Sequence, residues 1–159
     1  MSLRDLYAKP GHLIRRAHQI SWALFVNECA DYNVTPVQYS ALVAIEERPG
    51  VDATRLSALI AFDRSTIGNV IERLETRGLV TRKAGAEDRR QKLLFLSDQG
   101  RELLRKITPL VERVQERIMA PLTKDEREIF VRLLDRMGQV NNDVTSAPLR
   151  RLEEVAAGD

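Results

Sequence analysis

Apolar residues recur at helical spacing over most of the chain. Leu13, Ala17, Ile20 and Leu24 stand three or four positions apart, the stripe of an amphipathic helix. That helix is predicted to start at Pro10-Gly11 and to run to about Asp31, with Leu3, Leu6 and Tyr7 forming a short apolar arm ahead of it. Tyr32-Asn33-Val34 reads as a loop. Thr35 then stands as an N-cap before Pro36 at the first helical position. The helix it opens runs to about Glu47 through Tyr39, Leu42, Val43 and Ile45, and Arg48-Pro49-Gly50 ends it.

Two shorter helices follow. Asp52 is placed to cap one containing Leu56, Leu59 and Ile60. Ala61-Phe62 makes a tight turn, and Asp63 caps the next helix, over residues 64–77, which buries Ile67, Val70, Ile71 and Leu74. Gly78 fits the left-handed position that closes a helix. Two short helices joined by so brief a turn form a helix-turn-helix. The period then switches from helix to strand. Leu79–Arg82 and Leu93–Leu96 predict two strands, and the charged loop 83–92 between them makes a hairpin wing.

The rest returns to helix. Ser97 caps a long segment carrying Leu103, Leu104, Ile107, Val111, Val114 and Ile118, and Pro109 is expected to kink it by removing a backbone donor. Thr123 and Glu126 form a capping box before a helix with Ile129, Phe130, Leu133, Leu134 and Met137. The periodicity weakens from Gly138, with Leu149 and Leu152 marking a short final helix. The fold class is therefore mainly α with a small β wing.

Composition narrows the function. At 159 residues with 43% hydrophobic content, the chain holds enough apolar material for one domain with appendages. One cysteine excludes a disulfide framework or a multi-cysteine zinc site, and two histidines disfavour a metal cluster. No nucleophile motif, Gly-rich phosphate loop or His-Glu-x-x-His pattern supports an enzyme, and no cofactor is expected. No apolar run reaches a membrane span, and the polar start does not read as a signal peptide. A soluble cytoplasmic protein without a membrane partner is the expectation.

Charge is informative through its placement. The whole chain carries a net +2. Residues 80–92 alone carry Arg82, Lys83, Arg89, Arg90 and Lys92 against Glu87 and Asp88, a local net of +3. Positive charge is thus concentrated in the wing, where arginines on a thin hairpin suit the negative potential of a minor groove. Asp88 is spaced to brace Arg90. The 64–77 helix turns Ser65, Thr66, Asn69, Arg73 and Thr76 away from its apolar face, with Arg64 at its start. Such hydrogen-bonding residues suit phosphates and base edges in a major groove. Double-stranded DNA is the expected partner.

These residues resemble the MarR family of winged-helix transcription regulators. The resemblance runs through Leu56-Ser57-Ala58-Leu59, Asp63-Arg64-Ser65-Thr66-Ile67, Val70-Ile71-Glu72-Arg73-Leu74 and Arg77-Gly78-Leu79-Val80. It continues in the wing as Asp88-x-Arg90, five residues, Leu96-Ser97, with serine where the family has threonine. The resemblance implies a homodimer that binds a near-palindrome through two recognition helices about 34 Å apart. It implies a helical dimerisation region over 1–34 and 110–159 and a DNA-binding lobe over 35–109. Leu3, Leu6, Leu13 and Ile20 would meet Leu110, Val114, Ile129 and Leu133 there. The apolar stripes themselves exceed what one small winged helix buries. By position, Ser65, Thr66, Asn69 and Arg73 would contact the major groove and Arg90 the minor groove.

A sensor site has two candidate chemistries. His12, Arg16 and Gln19 share one row of the first long helix, and Arg15, His18 and Trp22 the next. With Tyr39 from the second helix, they could hold a planar carboxylate, Arg on the carboxylate and Trp on the ring. Dimer-interface ion pairs or a solvated face explain the same residues. The stretch from Pro10 to Gln19 is similar to the branch of the family regulating aromatic-acid and nicotinate catabolism. That resemblance implies repression released by a small aromatic acid such as 6-hydroxynicotinate. The alternative is a thiol sensor at Cys29, which Glu28 and Asp31 disfavour by opposing a thiolate. A constitutive DNA-binding dimer with no ligand is the remaining reading.

Overall fold

The computed structural model describes residues 2–85 and 90–156. Helix α1 (Leu3–Tyr7) precedes α2 (Pro10–Glu28), and a 3-10 turn (Ala30–Tyr32) leads to α3 (Pro36–Glu47). Then come α4 (Ala53–Leu59), α5 (Arg64–Thr76), β1 (Val80–Ala84) and β2 (Lys92–Leu96). Helices α6 (Asp98–Met119) and α7 (Lys124–Val140), a 3-10 turn (Asn142–Val144) and α8 (Leu152–Ala156) complete the order.

Caps decide where these helices begin. Thr35 accepts from the Gln38 N–H while the Gln38 side chain accepts from the Thr35 N–H, so α3 starts with a full capping box. Asp52, Asp63, Ser97 and Thr123 each accept a backbone N–H at the start of α4, α5, α6 and α7. The apolar arm is itself a helical turn, because Ser2 and Asp5 form another capping box. The first long helix stops at Glu28 rather than near Asp31, and the chain turns through the left-handed Asn33 at φ 47°. Arg77 fixes that turn by donating to the Asn33 and Tyr32 carbonyls at 2.7 and 2.9 Å. Pro109 removes a donor without ending α6, which continues to Met119, and α7 passes Gly138 to reach Val140. Leu149 lies outside the final helix, whereas Leu152 begins it.

The two strands pair antiparallel, Val80 opposite Leu96 and Ala84 opposite Lys92. Val51 adds a bridge to Leu94, held by Gly50 N–H to the Leu94 carbonyl and Leu94 N–H to the Val51 carbonyl, at 2.8 and 2.9 Å. The wing is thereby tied to the loop between α3 and α4. At its other end, Ser97 donates to the Gly78 carbonyl at 2.6 Å. Gly100 lies so close to the Leu79 carbonyl that a Cβ there would sit 2.1 Å from the oxygen.

Two apolar clusters hold the chain. Leu42, Ile45, Leu56, Ile67, Leu74 and Leu94 are fully buried in the larger, which joins α3, α4, α5 and the wing. The smaller joins α2 to α6 through Phe25, Cys29, Val111 and Val114. Val114, expected at a dimer interface, is buried within its own chain, and Leu110 packs beside it. Glu28 seals this contact by accepting from Arg113 and Arg117 at 2.7 and 3.2 Å. By contrast, α7 has no buried residue, and Leu13, Ile20, Ile129, Leu133 and Val140 are exposed. No helix among the described residues is long and apolar enough to cross a membrane.

Candidate nucleic-acid interface

Helix α5 separates its two faces completely. Ile67, Val70, Ile71 and Leu74 are buried, while Arg64, Ser65, Asn69, Arg73 and Thr76 are exposed and Thr66 is half-buried. Asp63 organises the first turn. Its carboxylate accepts from the Thr66 N–H at 2.9 Å, the Ser65 hydroxyl at 2.5 Å and the Thr66 hydroxyl at 2.6 Å. The Ser65 and Thr66 hydroxyls, then the Thr66 N–H, hold the Asp63 carboxyl well below the usual carboxylate range. With their protons committed to Asp63, the two hydroxyls present lone pairs outward. That suits the amino groups of cytosine and adenine better than phosphate oxygens.

Two further residues complete the outer face. Gly68 and Glu72 are both exposed beside Asn69 and Arg73. Counting three and then seven positions on from Ser65 reaches both, but neither has the residue type that marks a groove-facing row. Beyond its own helix backbone, none of the described residues comes within 4 Å of the place a Gly68 Cβ would occupy, and its φ is not left-handed. Glu72 brings a carboxylate, which accepts from cytosine N4 in a major groove. A polar groove continues from this face to the start of α3, lined by Asn33, Thr35, Gln38, Asn69, Arg73 and Thr76.

The wing stands beside α5. Arg82 bonds Glu75 of α5 at 2.6 Å, and the Lys83 ammonium lies 5.0 Å from the centre of the Phe95 ring. Both side chains therefore stiffen the base of the hairpin. Gln91 donates to Asp52 at 3.1 Å, anchoring the returning leg to the cap of α4. Burial raises the Asp52 pKa, but the Arg55 N–H, the Gln91 amide and the Thr54 N–H more than offset it, so the net shift is downward. Arg90 is exposed near the hairpin tip. Asp88 and Arg89 lie outside the described residues, so the Asp88–Arg90 brace does too.

The candidate sensor residues divide into two groups. Tyr39 lines an apolar cavity of about 320 Å³ with Ser40, Val43, Glu47, Leu59 and Ile60. Its ring lies 6.1 Å from that of Phe25 on α2. Arg15, Arg16 and Gln19 are exposed on α2, where both arginines donate to the Gln19 side chain. His12 packs against Tyr7, with ring centres 5.4 Å apart, and Trp22 against His18 at 6.3 Å. Helical rise places Arg16 about 13 Å along α2 from Phe25. One chain therefore does not gather the cations and Tyr39 around a single pocket. Cys29 is buried at 1% exposure. Burial, then the Glu28 charge, pushes its thiol pKa up, which disfavours the thiolate a redox sensor needs. Among the described residues, no group of three or more His, Cys, Asp or Glu side chains is placed to hold a metal.

Comparison with known proteins agrees with this geometry. Residues 32–91, which span α3, the helix-turn-helix and most of the wing, match the MarR family. The transcriptional regulator HosA of Escherichia coli O157:H7 is 31% identical over 137 residues, covering 86% of this chain and 98% of HosA. Bordetella bronchiseptica BpsR, whose DNA binding is regulated by 6-hydroxynicotinic acid, superposes with a TM-score of 0.80 at 31% identity. That match covers 83% of this chain and 94% of the BpsR chain. The transcriptional repressor CouR, solved on a 23-mer DNA duplex, also reaches 0.80, at 27% identity over 87% of this chain and 98% of its own. A polar outer face on a two-helix motif, a braced antiparallel wing and relatives that match most of the chain lead to one assignment: the chain belongs to the MarR family of winged-helix transcription regulators.

Proposed function

We propose that this regulator is a homodimeric repressor that binds a palindromic operator and is released by a small aromatic acid. The observation that carries the DNA reading is the outer face of α5, polar along its length and backed by four buried apolar residues. Asn69 and Arg73 would read base edges from that face, with Ser65 and Thr66 accepting from base amino groups. Arg64 would contact the backbone beside them. Arg89 and Arg90 would enter the flanking minor groove, with Arg82 and Lys83 supporting the hairpin from its base. The DNA-binding lobe is assigned to residues 35–109. Dimerisation is assigned to residues 1–34 and 110–159, where exposed Leu13, Ile20, Ile129 and Leu133 provide apolar surface for a second copy.

The effector reading rests on the cavity beside Tyr39 and on the likeness to BpsR. Its apolar walls suit the face of an aromatic ring, but its lining includes Glu47 and no cation. The carboxylate of an aromatic acid must therefore point out of the cavity. Arg15, Arg16 and His12 on α2 would receive it where two chains and two lobes meet, with Gln19 and Trp22 completing that face. A ligand held there shifts the dimer only if it binds the non-operator arrangement more tightly.

A mobility-shift titration on the palindrome of the protein's own promoter tests this reading. Operator complexes should form without ligand and dissociate as 6-hydroxynicotinate is added. Arg16→Ala should bind the operator normally and need at least tenfold more acid. Complexes indifferent to 6-hydroxynicotinate and to other aromatic acids would contradict the effector half of the proposal.

A further inference from the structure

The C-terminal segment does not trail from α7. Its turn is locked by Asn142, whose amide accepts from the Leu149 N–H at 2.8 Å and donates to the Leu149 carbonyl at 3.0 Å. Arg151 then pairs with Asp135 of α7 at 3.2 Å. One residue earlier, the Arg150 N–H donates to the Ala58 carbonyl of α4 at 2.9 Å. Leu152, the residue after Arg151, is half-buried and enters the lining of the cavity that holds Tyr39, Val43, Leu59 and Ile60. One short stretch thus touches α7, the first helix of the helix-turn-helix and the apolar cavity between α3 and α4.

We infer that this segment is a strap whose Leu152 forms a wall of the effector cavity and sets the size of ring it accepts. The inference rests on the proposal that the cavity is the effector site, and it adds a residue far from the others in sequence. A cavity of about 320 Å³ lies at the small end of the ~300–1,000 Å³ typical of small-molecule sites, so one wall residue matters. Leucine packs through dispersion and offers no hydrogen bond, so Leu152 selects by shape. Because the same strap hydrogen-bonds the α4 backbone and pairs with α7, a ligand that displaces Leu152 also pulls on both. This gives the cavity a mechanical route to the helix-turn-helix.

Calorimetry on the full-length protein and its Leu152→Ala and Leu152→Trp variants tests the assignment. Two probes are used: 6-hydroxynicotinate, and 2-naphthol, a neutral two-ring compound that needs an apolar cavity and no cation. Leu152→Ala should bind 2-naphthol at least tenfold tighter than wild type, and Leu152→Trp should lose at least tenfold for either probe. Circular dichroism and thermal melts of all three proteins check that each is folded. If 2-naphthol follows this order while 6-hydroxynicotinate binds none of the three, the aromatic-acid reading fails and the wall assignment stands. Equal affinities across the three proteins, or no binding of either probe to any, would overturn the assignment of Leu152. Hydrogen exchange of the ligand-free protein checks the strap itself. The Arg150 amide should be protected in wild type, and exchange at the rate of an unstructured peptide would refute the seat on Ala58.

Discussion

Gly68 is out of place by helix propensity alone. It lies inside α5, where glycine costs about 1 kcal/mol relative to alanine, and none of the described residues crowds its position. A duplex approaching the helix backbone, as the proposed DNA interface has it, would account for a residue without a side chain there. Gly68→Ala should raise the melting temperature while lowering operator affinity at least tenfold. A variant that is both more stable and equally tight on DNA would show that no close approach occurs there. Asp63 is informative in another way. Its lowered pKa means that its capping contribution is present above the ordinary value of 3.8 and is lost as pH falls through the lower folded value. The melting-temperature advantage of wild type over Asp63→Asn should therefore shrink as pH is lowered below about 4. An advantage that stays constant through that range would contradict the hydrogen-bonded carboxylate.

At the level of elements, the starts of helices were legible and their ends less so. Thr35, Asp52, Asp63, Ser97 and Thr123 each announce a helix by residue type, and each caps one. The end of α2 has no local mark, because Cys29, Ala30 and Asp31 carry no stop signal and the turn there is fixed by Arg77 from 44 residues away. The isolated bridge from Val51 to Leu94 of the wing and the Gln91–Asp52 bond were not legible for the same reason. Pairings across some 40 residues leave no local period. The outer face of α5 was mostly legible, but a search for cations and hydroxyls passes over Gly68 and Glu72. Gly100 ties these elements together. Its missing side chain lets α6 meet the Leu79 carbonyl at the root of the wing. Gly100→Ala should destabilise the fold by about 1–3 kcal/mol, the usual cost of overpacking, in chemical denaturation. An unchanged midpoint would mean that the contact relaxes freely.

Across the whole molecule, packing is uneven. The central lobe closes around its own core, whereas α7 buries nothing and α2 exposes Leu13 and Ile20. A helix with an amphipathic stripe and no buried residue leaves apolar surface for a second body, the role the proposed dimer gives it. The apolar excess was legible in the stripes, but its division was not: Val114 is used inside the chain, where it meets Phe25 and Cys29. Periodicity marks a buried face without saying which body covers it. The candidate sensor residues follow the same rule. Their types are legible on α2, yet Arg15 and Arg16 do not share a single-chain pocket with Tyr39, and the cavity wall at Leu152 has no motif.

In the proposed assembly, two copies of this chain read a palindrome through α5 and the wing. Fluorescence anisotropy at one fixed salt concentration tests it most directly, titrating wild type and Arg90→Ala against the promoter palindrome and a scrambled duplex. Wild type should prefer the palindrome by about a thousandfold or more, and Arg90→Ala should lose much of its affinity for that site while remaining dimeric. Equal wild-type affinity for the two duplexes, or an Arg90→Ala protein as tight as wild type, would contradict the account.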